Sequence, residues 1–137
     1  PEPTTRSASA PATSTASFTG LLNSFRAGEG RGAVRQNAAL TRAAQAHAED
    51  MVARGYFSHR APNGPNGETF NQRAIAAGCA LRTGAENIAT GQRNEAEVIA
   101  AWEGSRGHRR NMLGANYTEY GLGRAGNVWV LKLAASC

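Results

Sequence analysis

Apolar residues recur at three- and four-residue spacings through the first two thirds of this chain and crowd into short runs near its end. Phe18, Leu21, Leu22 and Phe25 predict a short helix opening on Ser17, whose hydroxyl suits an N-cap, and Gly28, Gly30 and Gly32 stop it. The clearest pattern starts at Asn37. Leu40, Ala43, Ala44, His47, Met51 and Val52 fall on one helical face, Arg42, Gln45, Glu49 and Asp50 lie elsewhere, and Gly55 ends the run. Two turn formers in succession, Pro62-Asn63-Gly64 and Pro65-Asn66-Gly67, make the next stretch a loop. A helix is expected over 68–77, with Phe70, Ala74 and Ile75 inward and Gly78 as its stop, then a strand or extended loop over 80–90. Asn94 caps a fourth helix with Glu95 and Glu97 in its first turn, where the helix dipole favours negative charge, and with Val98, Ala101 and Trp102 as its inner face. Residues 117–124 and 127–134 flank Ala125-Gly126 and read as a hairpin. Helices first and strands last, without strand–helix alternation, indicate an α+β layered domain and not a parallel sheet.

The first 16 residues, PEPTTRSASAPATSTA, carry no apolar period. Such a Pro/Ser/Thr/Ala-rich segment cannot bury enough surface to offset its ordering entropy, so 1–16 read as a disordered linker and 17–137 as one domain. No apolar run approaches the roughly 18 residues that span a bilayer, which argues against a transmembrane segment. The opening Pro1-Glu2-Pro3-Thr4 does not read as a signal peptide, and any export signal is expected to have been removed. The formal charge is +5, almost all from arginine, with Lys132 the only lysine. Arg106, Arg109 and Arg110 cluster, but aromatics are only 7%, too few for the stripe of charge and stacking rings that nucleic acid requires. Nucleic acid is therefore not an expected partner.

Two cysteines, Cys79 and the terminal Cys137, can neither complete a four-ligand structural zinc site nor form a Cys-x-x-Cys pair. They read either as a disulfide that pins the C-terminal strand to the body of the domain, in an oxidising compartment, or as two reduced thiols.

Three histidines carry the candidate chemistry. His47 lies on the apolar face of the second helix, where a hydrogen-bonded core role outweighs a ligand role. His59 follows Tyr56-Phe57-Ser58 at the mouth of the turn-rich loop, and His108 follows Gly107, which reads as lying past a helix end. Glu86 sits among small and apolar neighbours, where a carboxylate either finds a partner or has its pKa raised. There is no His-Glu-x-x-His, no Gly-x-Ser-x-Gly and no glycine-rich phosphate loop. A Ser105–His108 hydrolase pair is set aside because no glycine elbow surrounds Ser105.

Six segments stand in an order that resembles the bacterial branch of the CAP superfamily, the cysteine-rich secretory, antigen 5 and pathogenesis-related proteins with an SCP-like extracellular domain. They are Leu21-Leu22-Asn23, His47-Ala48-Glu49-Asp50-Met51, Tyr56-Phe57-Ser58-His59, Gly84-x-Glu86-Asn87-Ile88-Ala89, Ala101-Trp102-x-x-Ser105-x-Gly107-His108-Arg109 and Tyr120-Gly121-Leu122-Gly123. The resemblance implies a three-layer α-β-α sandwich, a small, mainly antiparallel central sheet flanked by about four helices. It implies a cleft in which His59, His108 and Glu86 hold a divalent cation such as Zn²⁺, with no metal required for folding. A second acid found in eukaryotic relatives is replaced here by Ser105, and Glu103 can substitute only if the helix end turns it inward.

The implied function is a secreted, monomeric, non-catalytic binding module for a divalent metal, peptide, glycan or lipid. The alternative is a metal-dependent hydrolase of peptide or cell-wall substrates with Glu86 as base or ligand.

Overall fold

The computed structural model describes residues 14–137, with side chains from residue 18 onward. Most of the expected linker, residues 1–13, lies outside the described residues. Helix α1 runs Ser14–Gly28, four residues earlier than the Ser17 cap predicts. A two-residue strand β1, Arg35–Gln36, leads into α2, Ala38–Arg54. Asn37 caps α2 by accepting from the Leu40 amide, and Gly55 ends it in the left-handed region at φ 71°. After the Pro-Asn-Gly loop comes α3, Phe70–Ala76, opened by a capping box in which Thr69 and Gln72 satisfy each other's backbone. Strand β2 is Gly84–Thr90, α4 is Glu95–Glu103 and α5 is Arg106–Met112. Strands β3, Glu119–Ala125, and β4, Val128–Ala134, form the expected hairpin.

The sheet order is β1-β3-β4-β2. The β3–β4 and β4–β2 pairs are antiparallel, and the short β1–β3 pair is parallel. Alternation along β4 divides the core between two helical layers. Trp129, Leu131 and Leu133 pack with Phe18, Leu22, Val98, Ile99 and Trp102 of α1 and α4. Val130 and Ala134 face the other way, onto α2 and α3. The result is the α-β-α layering expected, with five helices among the described residues in place of about four.

The additional helix is α5. Ser105 adopts an extended conformation, breaks the chain after α4 and takes the N-cap position of α5, so Gly107 and His108 fall within a helix and not past its end. Buried Arg26 donates to the carbonyls of Met112 and Gly114 and thereby holds the end of α5. Three expected inward residues point out: Val52 is 54% exposed, Ile75 58%, and Ala101 is exposed. Met51, Ala74 with Arg73, and Ile99 take the inward directions in α2, α3 and α4. A residue one position along is rotated by about 100°, enough to exchange core for solvent.

Helix α2 lies on β3 at backbone contact. A Cβ at Gly121 would stand 2.2 Å from the Leu40 carbonyl carbon, and one at Gly123 would stand 2.3 Å from the Gln45 amide nitrogen. Any side chain there would push α2 off the sheet. Cys79 and Cys137 form a disulfide with Cα atoms 4.6 Å apart, which fastens the end of the chain to the segment after α3.

Candidate functional site

The site is organised around Glu86. Strand β2 is an edge strand, and its pleat sends Glu86 toward the α2/α3 layer while Asn87 points toward α5. Glu86 is only 6% exposed. Lys132, its cross-strand partner on β4, donates to Oε2 at 2.5 Å. Arg73, from the inner face of α3, donates to Oε1 at 3.2 Å and to Oε2 at 3.0 Å. His59 Nδ1 donates to Oε1 at 2.8 Å. Both carboxylate oxygens thus accept from two donors each.

Arg73 extends the cluster outward. It donates to the backbone carbonyls of His59 at 2.8 Å and Glu68 at 3.0 Å, so one guanidinium fixes the entry of the loop, its exit and the carboxylate. Lys132 Nζ also lies 4.7 Å from the centre of the Phe70 ring, which contributes a cation–π contact to its burial.

Of the two expected histidines, His59 bonds this carboxylate, and His108 stands near His59. His59 comes from the loop after α2, with its side chain 56% exposed. His108 stands on α5, whose position is fixed from the sheet: Asn87 Nδ2 donates to the His108 carbonyl at 3.1 Å. Asn111 Nδ2 in turn donates to Asn87 Oδ1 at 2.9 Å. Burial and the neighbouring His59 charge both lower the His108 pKa, so the two imidazoles are within electrostatic reach. His47 is buried as expected, with Nε2 2.9 Å from the Ser58 carbonyl, and burial drops its pKa to about 4. Glu103 and Ser105 are partly exposed at the α4–α5 junction.

Burial pushes the Glu86 pKa up, but the His59 hydrogen bond and the charges of Lys132 and Arg73 outweigh it and hold the carboxyl down at about 2. Lys132 is pulled down to about 8 by burial, against the attraction of Glu86. A carboxylate so saturated is a poor proton acceptor. Its chemical effect falls on His59: in the neutral imidazole, giving Nδ1–H to Glu86 leaves the lone pair on Nε2, the arrangement by which a carboxylate orients a ligating imidazole. Among the described residues, no group of three or more His, Cys, Asp or Glu side chains is placed to hold a metal ion.

Arg73 and Lys132 were not among the expected site residues. Lys132 carried a signal, as the only lysine of the chain set within the apolar run Val128-Trp129-Val130-Leu131-Lys132-Leu133. A charge in such a strand is either at a bend or paired in the core. Arg73 carried none, because the helical period admits it to either face.

The chain matches the model of the CAP family, described as the cysteine-rich secretory protein family, over residues 19–130. It is 35% identical over 111 residues to the protein YkwD of Bacillus subtilis (strain 168), covering 80% of this chain and 42% of that protein. Its fold superposes with a TM-score of 0.82 at 23% identity on an extracellular protein containing an SCP domain from Bacillus anthracis, covering 92% of this chain and 45% of that one. An outer surface protein of Borrelia burgdorferi gives 0.78 at 16% identity, covering 90% and 93% of the two chains. A cysteine-rich secretory protein of Staphylococcus aureus gives 0.71 at 19%, covering 88% and 38%. The chain thus spans about two fifths of the length of the Bacillus subtilis relative. No helix among the described residues is long and apolar enough to cross a membrane. With the family's segments in order on a sheet whose two faces carry helices, the chain belongs to the CAP superfamily and groups with its bacterial members.

Proposed function

We propose that this CAP domain is a secreted, non-catalytic binding module whose cleft is formed by His59 and His108 over a buried, fully engaged Glu86. The observation that carries this reading is the engagement of both Glu86 oxygens by His59, Arg73 and Lys132. A general base needs a free lone pair and a pKa near the working pH, and this carboxylate has neither. The hydrolase reading, with Glu86 as base or metal ligand, loses its central residue on the same ground. The Cys79–Cys137 disulfide and the extracellular SCP-domain neighbours support an oxidising location outside the cytoplasm.

Zn²⁺ or another divalent cation would be held by the imidazoles of His59 and His108, with Glu86 orienting His59 from behind. Two imidazoles leave the other coordination positions to water or to a donor atom of a peptide, glycan or lipid ligand. A bound metal would supply an open coordination position at the cleft. The protein's residues supply orientation through Glu86 and Asn87.

The test is histidine nitrogen NMR of the apo protein titrated with Zn²⁺ and Mg²⁺. Saturable shifts at His59 and His108 with His47 unmoved are expected. Movement of His47 alone, or metal-dependent hydrolysis lost in His59→Ala and with chelator, would overturn the reading.

A further inference from the structure

The loop after His59 sets the same three residues twice in a row, Pro62-Asn63-Gly64 and Pro65-Asn66-Gly67. An asparagine followed by glycine is chemically labile, because glycine has no Cβ to keep its backbone nitrogen from the asparagine Cγ. Both asparagines are exposed, and neither carboxamide has a hydrogen-bond partner among the described residues. By local sequence the two pairs are equivalent. The fold treats them differently.

The first pair is clamped. Arg54 donates to the Pro62 carbonyl at 2.6 Å, Asn63 N donates to Glu68 Oε2 at 2.9 Å, and Gly64 N donates to the Ala61 carbonyl at 2.9 Å. Asn63 is also set in the left-handed region at φ 54°. The nitrogen that would have to attack Asn63 is thus held in a hydrogen bond, on a backbone fixed at three successive residues. Around the second pair, residues 65–67 make one hydrogen bond among the described residues, from Gly67 N to the Gly64 carbonyl at 3.2 Å. That contact lies at the long end of the range for an amide donor. Neither Pro65 nor Asn66 is tied down.

The fold also keeps the labile pair in place. Gly67 sits at φ 110°, which side chains rarely adopt, and a Cβ there would stand 2.5 Å from Gln72 Cβ. Gln72 in turn belongs to the capping box that opens α3. The path of the loop onto α3 therefore requires glycine after Asn66.

We propose that Asn66-Gly67 is a site of spontaneous covalent modification, at which the folded protein loses the Asn66 carboxamide while Asn63 is protected. Hydroxide removes the Gly67 N–H proton, and the nitrogen attacks Asn66 Cγ. The new C–N bond closes a succinimide ring, the Cγ–Nδ2 bond breaks, and the amide leaves as ammonia with a proton from water. Water then adds to one ring carbonyl. Opening at Cγ gives aspartate at position 66. Opening at the main-chain carbonyl gives isoaspartate, whose backbone runs through the side chain and is longer by a methylene. Nothing is oxidised or reduced, and water is the only co-reactant. Either product adds a negative charge at position 66, and isoaspartate also forces Gly67 to move relative to Gln72.

The experiment holds the folded chain, disulfide intact, at mildly alkaline pH over days and maps it by mass spectrometry. Electron-transfer fragmentation separates aspartate from isoaspartate. A second sample in concentrated guanidine gives the rates that local sequence sets. In the folded protein, conversion at residue 66 is expected to be at least threefold faster than at residue 63, and in guanidine the two should run within twofold of each other. Asn66→Gln, whose longer side chain closes a ring far more slowly, should remove the main product while the circular dichroism stays as in the parent. Faster conversion at residue 63, equal conversion at both sites in the folded protein, the same preference in guanidine, or an intact residue 66 after the unfolded chain has reacted overturns the proposal.

Discussion

Lys132 and Glu86 are directly opposed across the β4–β2 ladder, and their side chains meet at 2.5 Å with Lys132 fully buried. Strand register alone places the pair, and α3 adds Arg73 above it. Removing one partner of a buried ion pair leaves a charge in a medium that solvates it poorly. Lys132→Met is therefore expected to lower stability by roughly 3 kcal/mol, less than for an isolated pair because Arg73 and His59 still bond Glu86. Urea unfolding of the variant beside Glu86→Gln and the double variant measures the coupling. Additive losses would show that the two charges do not interact.

The acid limb of stability should begin with a histidine. His47 has its folded pKa depressed to about 4, so the unfolded chain takes up its proton first as pH falls below about 6.5. Stability is full above that value and is lost as pH drops toward 4, by up to roughly 3 kcal/mol. Glu86, depressed to about 2, adds a second loss below the ordinary glutamate range. Denaturation midpoints from pH 7 to 3 check this, and His47→Phe should flatten the first stage while keeping the second.

His59 and His108 are coupled through space. Because the His59 charge lowers the pKa of His108, His59→Ala should raise it, with the fold unchanged as His59 is largely exposed. Histidine proton NMR reads the shift. An unmoved His108 would mean the two rings do not share a cleft.

Backbone contact between α2 and β3 makes Gly121 and Gly123 intolerant of any side chain. Gly123→Ala is expected to cost roughly 3 kcal/mol through strain against α2, where Gly126→Ala in the exposed turn costs only its positive-φ penalty. Thermal melts of the two variants should separate clearly.

Reduction of Cys79–Cys137 opens a loop of 58 residues. The chain-entropy model assigns such a crosslink about 4 kcal/mol. A guanidine titration with and without reductant should reveal a loss of that order while near-neutral spectra keep the native form.

Local chemistry made much of this protein legible from residues alone. Asn37, Gly55 and Asn94 act within a turn of themselves, so helix ends, the turn-rich loop and the hairpin followed from sequence. The His59 and Glu86 juxtaposition and the CAP fold came from ordered motifs, which report a fold already assembled in relatives. What the sequence did not disclose is which side of each helix is buried at its margins, as Val52, Ile75 and Ala101 demonstrate. Nor did it disclose α5, whose start depends on the break at Ser105 and whose end depends on Arg26, 86 residues away along the chain from Met112. Above all it did not disclose that Arg73 and Lys132 close on Glu86. That grouping joins three elements through strand register and helix rotation. Both are settled by tertiary packing, since a shift of one residue in either would send a charge to the opposite face.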